Sequence, residues 1–173
     1  MSTTNTWAID PTHSEIGFSV SHMMFSKVRG TFEAYEAKIS SDEQLKNSAI
    51  SVEIATNSVN TRNEQRDGHL KGEDFFDAEN FPKIIFQSET ADLKSGTING
   101  EIDIKGVRKQ IPVKIDFHGE GKDPWGNTRI AFAFNAELSR KDFGLTWNTA
   151  LETGGVLVGD KVDLQGEIQL VKA

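Results

Sequence analysis

Apolar and polar residues alternate with a period of two along much of this chain. In the stretch 98–105, Ile98, Ile102 and Ile104 share one face with a glycine, and every other residue is polar. Successive side chains of a strand point to opposite faces, so this pattern indicates a strand that is buried on one side only. The same alternation recurs in three further stretches, 113–118, 130–138 and 162–170.

Less regular alternation predicts four more strands, which brings the total to about eight. They lie at 16–20, 28–39, 50–54 and 84–86. Half-buried strands with short connections indicate antiparallel sheets, which close into a barrel or pack as a two-sheet sandwich. The pattern alone favours neither arrangement. A closed barrel of eight strands has no free edges, and its interior can be filled by side chains or can hold one small ligand.

One segment departs from the strand pattern and predicts a short helical region at about residues 61–80. Thr61 and Glu64 match a capping box, which predicts a helix over 62–71. Gly72 is a plausible end for this helix. The predicted fold class is therefore all-β with one short helical segment.

Length and charge limit the classes of function. The 173 residues suffice for one domain, and neither a linker nor a repeat divides 1–173. A net charge of −7 without a basic stripe argues against nucleic acid or an anionic membrane surface as a partner. No apolar run approaches the length of a membrane helix, so we expect no stable membrane insertion.

The first residues lack the basic start and the apolar stretch of a secretory signal. We therefore expect a cytoplasmic protein, or a periplasmic one if a signal has been removed. The absence of cysteine is compatible with both compartments.

The four histidines, His13, His22, His69 and His118, lack the close spacings of zinc sites. No nucleophile elbow and no thiol is present, so the sequence predicts neither a catalytic set nor a metal site. The alternative is an enzyme of lipid or quinone metabolism that uses His22 or His69 as a general acid or base.

Two segments outside the strands carry large aromatic side chains. The helical region contains Phe75 and Phe76, and the segment 139–148 contains Phe143 and Trp147. They either pack under loops as ordinary core or cover the mouth of an apolar pocket, since such pockets are lined by aromatic side chains with a few polar groups.

Arg66, Asp67 and His69 lie together on the predicted helix. One interpretation is a solvated helix face with local ion pairs, each worth little in stability. The other is that these side chains anchor the helix over one end of a barrel, which would shape any cavity beneath it.

An ordered series of short motifs runs from Trp7 to Val171. The motifs are Trp7-Ala8-Ile9-Asp10, His13-Ser14, Phe18-Ser19-Val20-Ser21-His22, Gly30, Phe32, Ser58 to Thr61, Arg66-Asp67, His69-Leu70, Phe75-Phe76-Asp77, Asn80-Phe81-Pro82, Phe86, Gly100, Gly106-Val107, Pro112-Val113, Arg140, Asp142-Phe143-Gly144, Gly159-Asp160 and Val162. In their order and spacing they make the chain resemble the YceI-like family of lipid-binding proteins.

The resemblance implies an eight-stranded lipocalin-like barrel, extended along its axis, with a hydrophobic pore for a polyisoprenoid or similar long amphiphile. It also implies a homodimer and no cofactor other than such a ligand. Many members of the family are exported.

The resemblance and the apolar strand faces together predict the residues around the ligand. The expected cavity lining is Phe18, Val20, Ile54, Phe86, Val113, Ile115, Phe132, Phe134 and Ile168. The expected mouth or lid residues are His22, Phe75, Phe76, Phe143 and Trp147.

The predicted function is to carry, store or sense a long apolar amphiphile, most simply a polyisoprenoid or an isoprenoid quinone, without enzymatic activity. Besides the enzyme named above, a third interpretation is a fully packed barrel that acts as a protein-interaction module. That interpretation predicts a barrel without a cavity and an apolar patch on its outer surface.

Overall fold

The computed structural model describes residues 4–149, 151 and 157–173. This part of the chain contains eleven strands and one α-helix, α1, at Glu64–Lys71. The strands are β1 (Asn5–Ile9), β2 (Glu15–His22), β3 (Ser26–Phe32), β4 (Tyr35–Ser41), β5 (Ser48–Ala55), β6 (Val59–Asn60), β7 (Lys83–Ala91), β8 (Thr97–Ile104), β9 (Val107–Lys122), β10 (Thr128–Ser139) and β11 (Val158–Lys172). In these ranges no helix is long and apolar enough to cross a bilayer.

Eight of the strands close into an antiparallel barrel, in the order β1-β4-β5-β7-β8-β9-β10-β11 and back to β1. The closing pair aligns Trp7 with Lys172 and Ile9 with Leu170. The predicted eight-stranded antiparallel barrel is therefore confirmed. Closure pairs strands from the two ends of the chain and leaves no open edge in this ring.

A second tier of strands extends the wall along the barrel axis. Only the last part of β11 pairs with β1, and its earlier part, from Val158 to Glu167, pairs with β2 along the same edge. From β2 the wall continues through β3 to β6. We call the end of the barrel next to β1 the lower end, and the end extended by β2 and β3 the upper end.

The period-two pattern places the apolar faces inside the barrel. Ile98, Ile102 and Ile104 of β8 are buried, and the polar residues between them are exposed or half-buried. On the neighbouring pair, Ile130 faces Leu170 across β10 and β11, and both side chains are fully buried. Strand alternation therefore predicted which face forms the core.

The helix begins later than the sequence predicted, and its cap is a different residue. Asn63 is the N-cap, because its side-chain oxygen accepts a hydrogen bond of 3.0 Å from the backbone N–H of Arg66. The capping box assigned to Thr61 is wrong, since the Thr61 hydroxyl is bonded to Asp67 instead. Gly72 is the C-cap, as predicted.

The strand boundaries also differ from the prediction at two places. The stretch 28–39 forms two strands, β3 and β4, separated by a bend. Strands β1 and β6 were not predicted, since five and two residues carry too little alternation to be recognised.

One arginine connects three segments at the lower end of the barrel. Arg129 donates hydrogen bonds of 2.7 Å to Asp10, 2.7 Å to Asp123 and 2.8 Å to Gln169. It thereby ties the β9–β10 turn and the residue after β1 to β11. Hydrogen bonds from Thr12, and then from Arg129, hold the pKa of Asp10 well below its usual range. The bond from Arg129 is the main cause that lowers the pKa of Asp123 to about 2.

We predict that Arg129→Gln lowers stability at neutral pH and flattens its dependence on acid. A carboxyl group whose pKa is lowered by folding stabilises the protein above its unfolded pKa, and this contribution is lost as the pH falls through the folded pKa. For Asp123 the loss spans the range from 3.8 to about 2. Urea unfolding at a series of pH values measures how the free energy of unfolding changes with pH.

The control is Arg108→Gln, which removes an exposed ion pair with Asp103. This variant should keep the wild-type pH dependence, because exposed pairs contribute little. If the free energy of unfolding of Arg129→Gln fell with pH below 3.8 as steeply as that of the wild type, the assigned role of Arg129 would be wrong.

Candidate functional site

Two cavities follow one another along the barrel axis. The upper cavity has a volume of about 490 Å³ and is bounded by the upper strands, α1 and the segment after β10. The lower cavity has a volume of about 100 Å³ and lies inside the eight-stranded ring. Ile84 and Leu164 border both cavities and therefore form a waist between them.

Among the described residues, the lower cavity is lined by aliphatic and phenylalanine side chains alone. Most of the predicted lining residues border it, since they lie on the inward faces of the ring strands: Ile54, Phe86, Val113, Ile115, Phe132, Phe134 and Ile168. This part of the barrel offers a ligand apolar surface and no hydrogen-bonding side chain.

The other predicted residues border the upper cavity. Phe18 and Val20 contribute to its wall from β2. The residues predicted for the mouth also line it: His22, Phe75, Phe76, Phe143 and Trp147. The structure therefore brings the two aromatic segments together at one end of the barrel.

Aromatic contacts close the cavity under the lid, which we define as residues 64–81, comprising α1 and the turns that follow it. The Phe75 ring lies 5.6 Å from that of Trp147, and His69 contacts both rings edge to face at 5.0 and 4.7 Å. On the other side, Phe76 packs against Phe32 at 5.9 Å. The lid thus rests on the segment after β10 and on β3.

The start of the lid is held by a small network around the buried Thr61. The Thr61 backbone N–H and hydroxyl both donate to Asp67, at 2.8 and 2.6 Å. Arg66 donates to the hydroxyl and to the carbonyl of Thr61, both at 2.7 Å. Arg66 and Asp67 therefore anchor α1 to the chain that leaves β6.

Arg140 organises the opposite side of the upper cavity, a role that sequence reasoning missed. Its guanidinium is buried and donates to the carbonyls of Gly159, Leu145 and Trp147 at 2.8, 2.6 and 2.9 Å. Burial lowers its pKa, whereas the charge of Asp160 acts in the opposite direction. Arg140 thereby fixes the segment carrying Trp147 against the start of β11. An isolated arginine in a sequence gives no signal of this role.

The polar side chains of the upper cavity are concentrated on the lid and on the end of β2. Asn63, Gln65 and Arg66 come from α1 and its cap, and Ser21 and His22 come from β2. Of these, only His22 was predicted at the mouth, and Arg66 was singled out as a possible anchor of the helix. An apolar interior with polar groups at one end is suited to a molecule with a long apolar part and a polar head.

Comparisons with known proteins agree with this geometry. Residues 7–170 match the sequence profile of the YceI-like domain. The chain belongs to the YceI-like family. A relative from Staphylococcus aureus (strain N315), UPF0312 protein SA2479, is 32% identical over 165 residues, which cover 94% of this chain and 95% of the relative.

Solved structures show the same YceI-like architecture. The YceI protein of Campylobacter jejuni is 31% identical and has a TM-score of 0.74, with 88% of this chain and 90% of that chain covered. A polyisoprenoid binding domain from Saccharophagus degradans, implicated in plant cell wall breakdown, is 13% identical and has a TM-score of 0.72. The match covers 96% of this chain and 98% of that domain, and at this identity it concerns the fold alone.

Glycines allow phenylalanine rings to lie flat against the wall of this YceI-like barrel. Phe18 lies over Gly30, its cross-strand partner, and Phe134 lies over Gly166. A Cβ atom on Gly30 would come within 2.6 Å of the Phe18 ring. Any side chain at this position would push the ring toward the upper cavity.

We predict that Gly30→Ala destabilises the protein by about 1–3 kcal/mol, because the new methyl group overpacks against Phe18. Adding Phe18→Leu should recover part of this loss, since the two residues are in direct contact. Chemical unfolding of the two single variants and the double variant measures the coupling.

Gly68→Ala is the matched control. Gly68 lies in α1, and an added Cβ would meet nothing within 4 Å. Alanine is favoured over glycine inside helices by about 0.5–1 kcal/mol, so this variant should be slightly more stable than the wild type. If Gly30→Ala and Gly68→Ala changed the free energy of unfolding equally, the close contact between position 30 and Phe18 would be contradicted.

Proposed function

We propose that this protein binds a long apolar amphiphile, most simply a polyisoprenoid or an isoprenoid quinone, inside the barrel and catalyses no reaction on it. The observation that carries the proposal is the arrangement of the two cavities. The upper cavity combines an apolar wall with polar groups at one end, and the wholly apolar lower cavity continues it along the axis.

The size and the family support this proposal. A volume of about 490 Å³ falls within the usual range of small-molecule sites. The Saccharophagus degradans domain of the same fold is a polyisoprenoid binding domain. A barrel with such a cavity also weighs against the alternative of a packed interaction module.

Affinity from the apolar wall alone would discriminate poorly between lipids. Burying a methylene group gains about 0.8 kcal/mol relative to water, but a lipid taken from a bilayer was not in water. The polar head must therefore contribute to selectivity, through hydrogen bonds that a wrong head group leaves unmade. We assign this role to Gln65 and Arg66 on the lid, to Asn63 at the cap before it and to His22 on β2.

The surroundings of His69 favour binding over the enzyme alternative. Its Nε2 lies 3.0 Å from an Asp74 carboxylate oxygen, and its ring is held between Phe75 and Trp147. These contacts give His69 a place in the packing of the lid.

Cytoplasmic location and a homodimer remain proposals, and light scattering coupled to size exclusion tests the dimer.

The first experiment is native mass spectrometry of the purified protein, followed by organic extraction of any bound molecule.

We predict that Val162→Asp abolishes uptake of an added isoprenoid quinone. Val162 is half-buried and lines the upper cavity, so a carboxylate there must either stay hydrated or lose its charge beside the apolar chain.

The matched control is Val171→Asp, the same change on the same strand. Val171 is also half-buried, but it alternates with the inward Leu170 and therefore faces outward. This variant should bind like the wild type. If folded Val162→Asp bound the quinone as well as the wild type does, the upper cavity would not be part of the binding site. If the wild-type protein took up no quinone, the proposal would be overturned.

A second prediction concerns chain length. Leu164 lies at the waist, so Leu164→Trp should block passage of a ligand from the upper cavity into the lower one. We expect affinity for long polyisoprenols to fall roughly tenfold or more, because their distal units would be excluded from apolar surface. Affinity for short isoprenoids should change little. Isothermal titration with a chain-length series measures both, and equal losses for all lengths would contradict a ligand that spans the waist.

A further inference from the structure

We propose that the tip of the β2–β3 hairpin, Met23-Met24-Phe25, docks on the surface of a lipid bilayer and places the upper cavity against the membrane. This surface goes beyond ligand binding itself, although its purpose rests on the function proposed above. The tip is defined by three consecutive apolar residues between His22 and Ser26.

The three side chains are exposed to solvent in the part of the chain that the structure describes. Met24 is 64% exposed and Phe25 is 84% exposed, and Met23 is 39% exposed. Single exposed apolar residues are common, but a contiguous group of large ones marks an interaction site. Packing within the fold therefore does not account for these residues.

The backbone of the tip does not favour methionine either. Met23 and Met24 have φ angles of 55° and 69°, in the left-handed region. Glycine and asparagine adopt this conformation at low cost, whereas a residue with a larger side chain is strained there. Neither the turn nor packing against the described residues therefore requires methionine here, which leaves these side chains available for an intermolecular contact.

The charge around the tip suits phospholipid head groups. The segment 16–32 contains no aspartate or glutamate, although the chain has 26 acidic residues. Its two charged residues, Lys27 and Arg29, are exposed basic side chains on β3. Apolar side chains flanked by basic ones are the pattern that binds reversibly at a membrane interface.

The hairpin is also continuous with the upper cavity. Val20, His22 and Val28 of the hairpin line this cavity. The Met23 N–H donates a 2.8 Å bond to the carbonyl of Leu157, another lining residue. A bilayer in contact with the tip would therefore lie beside the cavity mouth, and an apolar ligand could enter with little exposure to water.

A bilayer fits the tip better than a second copy of this chain does. A stable protein interface buries at least about 1,000 Å², which three side chains on a narrow hairpin do not supply. A membrane needs no complementary surface and accepts a few inserted side chains. The net charge of −7 opposes tight attachment to anionic lipids, whereas Lys27 and Arg29 attract them at the tip, so the contact is local and transient.

A fluorescent label tests the docking directly. The chain contains no cysteine, so Met24→Cys can be labelled with an environment-sensitive dye at a single position. The probe is vesicles of phosphatidylcholine, with and without phosphatidylglycerol. We expect a blue shift of the dye with vesicles and a larger shift with the anionic lipid.

Trp125→Cys provides the matched control. Trp125 is 80% exposed at the tip of the β9–β10 turn, at the lower end of the barrel. A dye at position 125 should not respond to vesicles. No shift at position 24, or equal shifts at both positions, would overturn the proposal. A concentration-dependent shift at position 24 without vesicles would also overturn it, because a second copy would then cover the tip.

A transfer assay separates this inference from the proposed function. We expect Phe25→Ser to slow uptake of a fluorescent polyisoprenol from vesicles roughly tenfold, and to leave uptake from a dilute ethanol dispersion unchanged. Trp125→Ser should leave both rates unchanged. Unchanged vesicle uptake in Phe25→Ser would refute docking by the tip while leaving ligand binding intact. If the wild type takes up nothing from the dispersion, the proposed function fails, and the dye shift still decides whether the tip docks.

Discussion

The barrel depends on the way one edge of β11 is shared between two strands. The last part of this edge pairs with β1 and the earlier part with β2. At the change of partner, the Asp10 N–H donates to the carbonyl of Gln169 at 2.9 Å, and the Gln169 N–H donates to the Ser14 hydroxyl at 3.0 Å. These bonds keep the backbone groups of the half-buried Gln169 on β11 paired across the break. The second tier, and with it the upper cavity, starts from this point.

The interior of the barrel stays open because large side chains are seated on its wall or fixed above it. Phe18 lies against Gly30, and Arg140 holds the segment carrying Trp147 through bonds to main-chain carbonyls. The start of the lid is held by the bonds of Arg66 and Asp67 to Thr61. The rings of Phe75 and Phe76 pack the rest of the lid against Trp147 and Phe32, so it is tied to the barrel at both its start and its later turns.

Much of the site could be predicted, because apolar side chains in strands have only one buried face available. The lining residues Phe86 and Phe132 were predicted from the apolar strand faces together with the family resemblance. Phe75 and Trp147 were predicted because they are large aromatic residues outside the strands. Asn63 and Arg140 could not be predicted in the same way. The role of Asn63 depends on its extended backbone, which lets its side chain cap α1, and Arg140 is bonded to carbonyls that the fold brings to it.

The sequence by itself determined which residues face inward and where the chain cannot be a strand. It also determined that the segment around the β2–β3 hairpin lacks acidic side chains. These properties depend only on neighbours along the chain. Only the tertiary structure decided which strands are adjacent and which apolar faces border a cavity. Trp7 pairs opposite Lys172, and Ile84 and Leu164 border both cavities. Such contacts join residues far apart in the chain, and their geometry depends on all the strands closing together, so no local pattern encodes them.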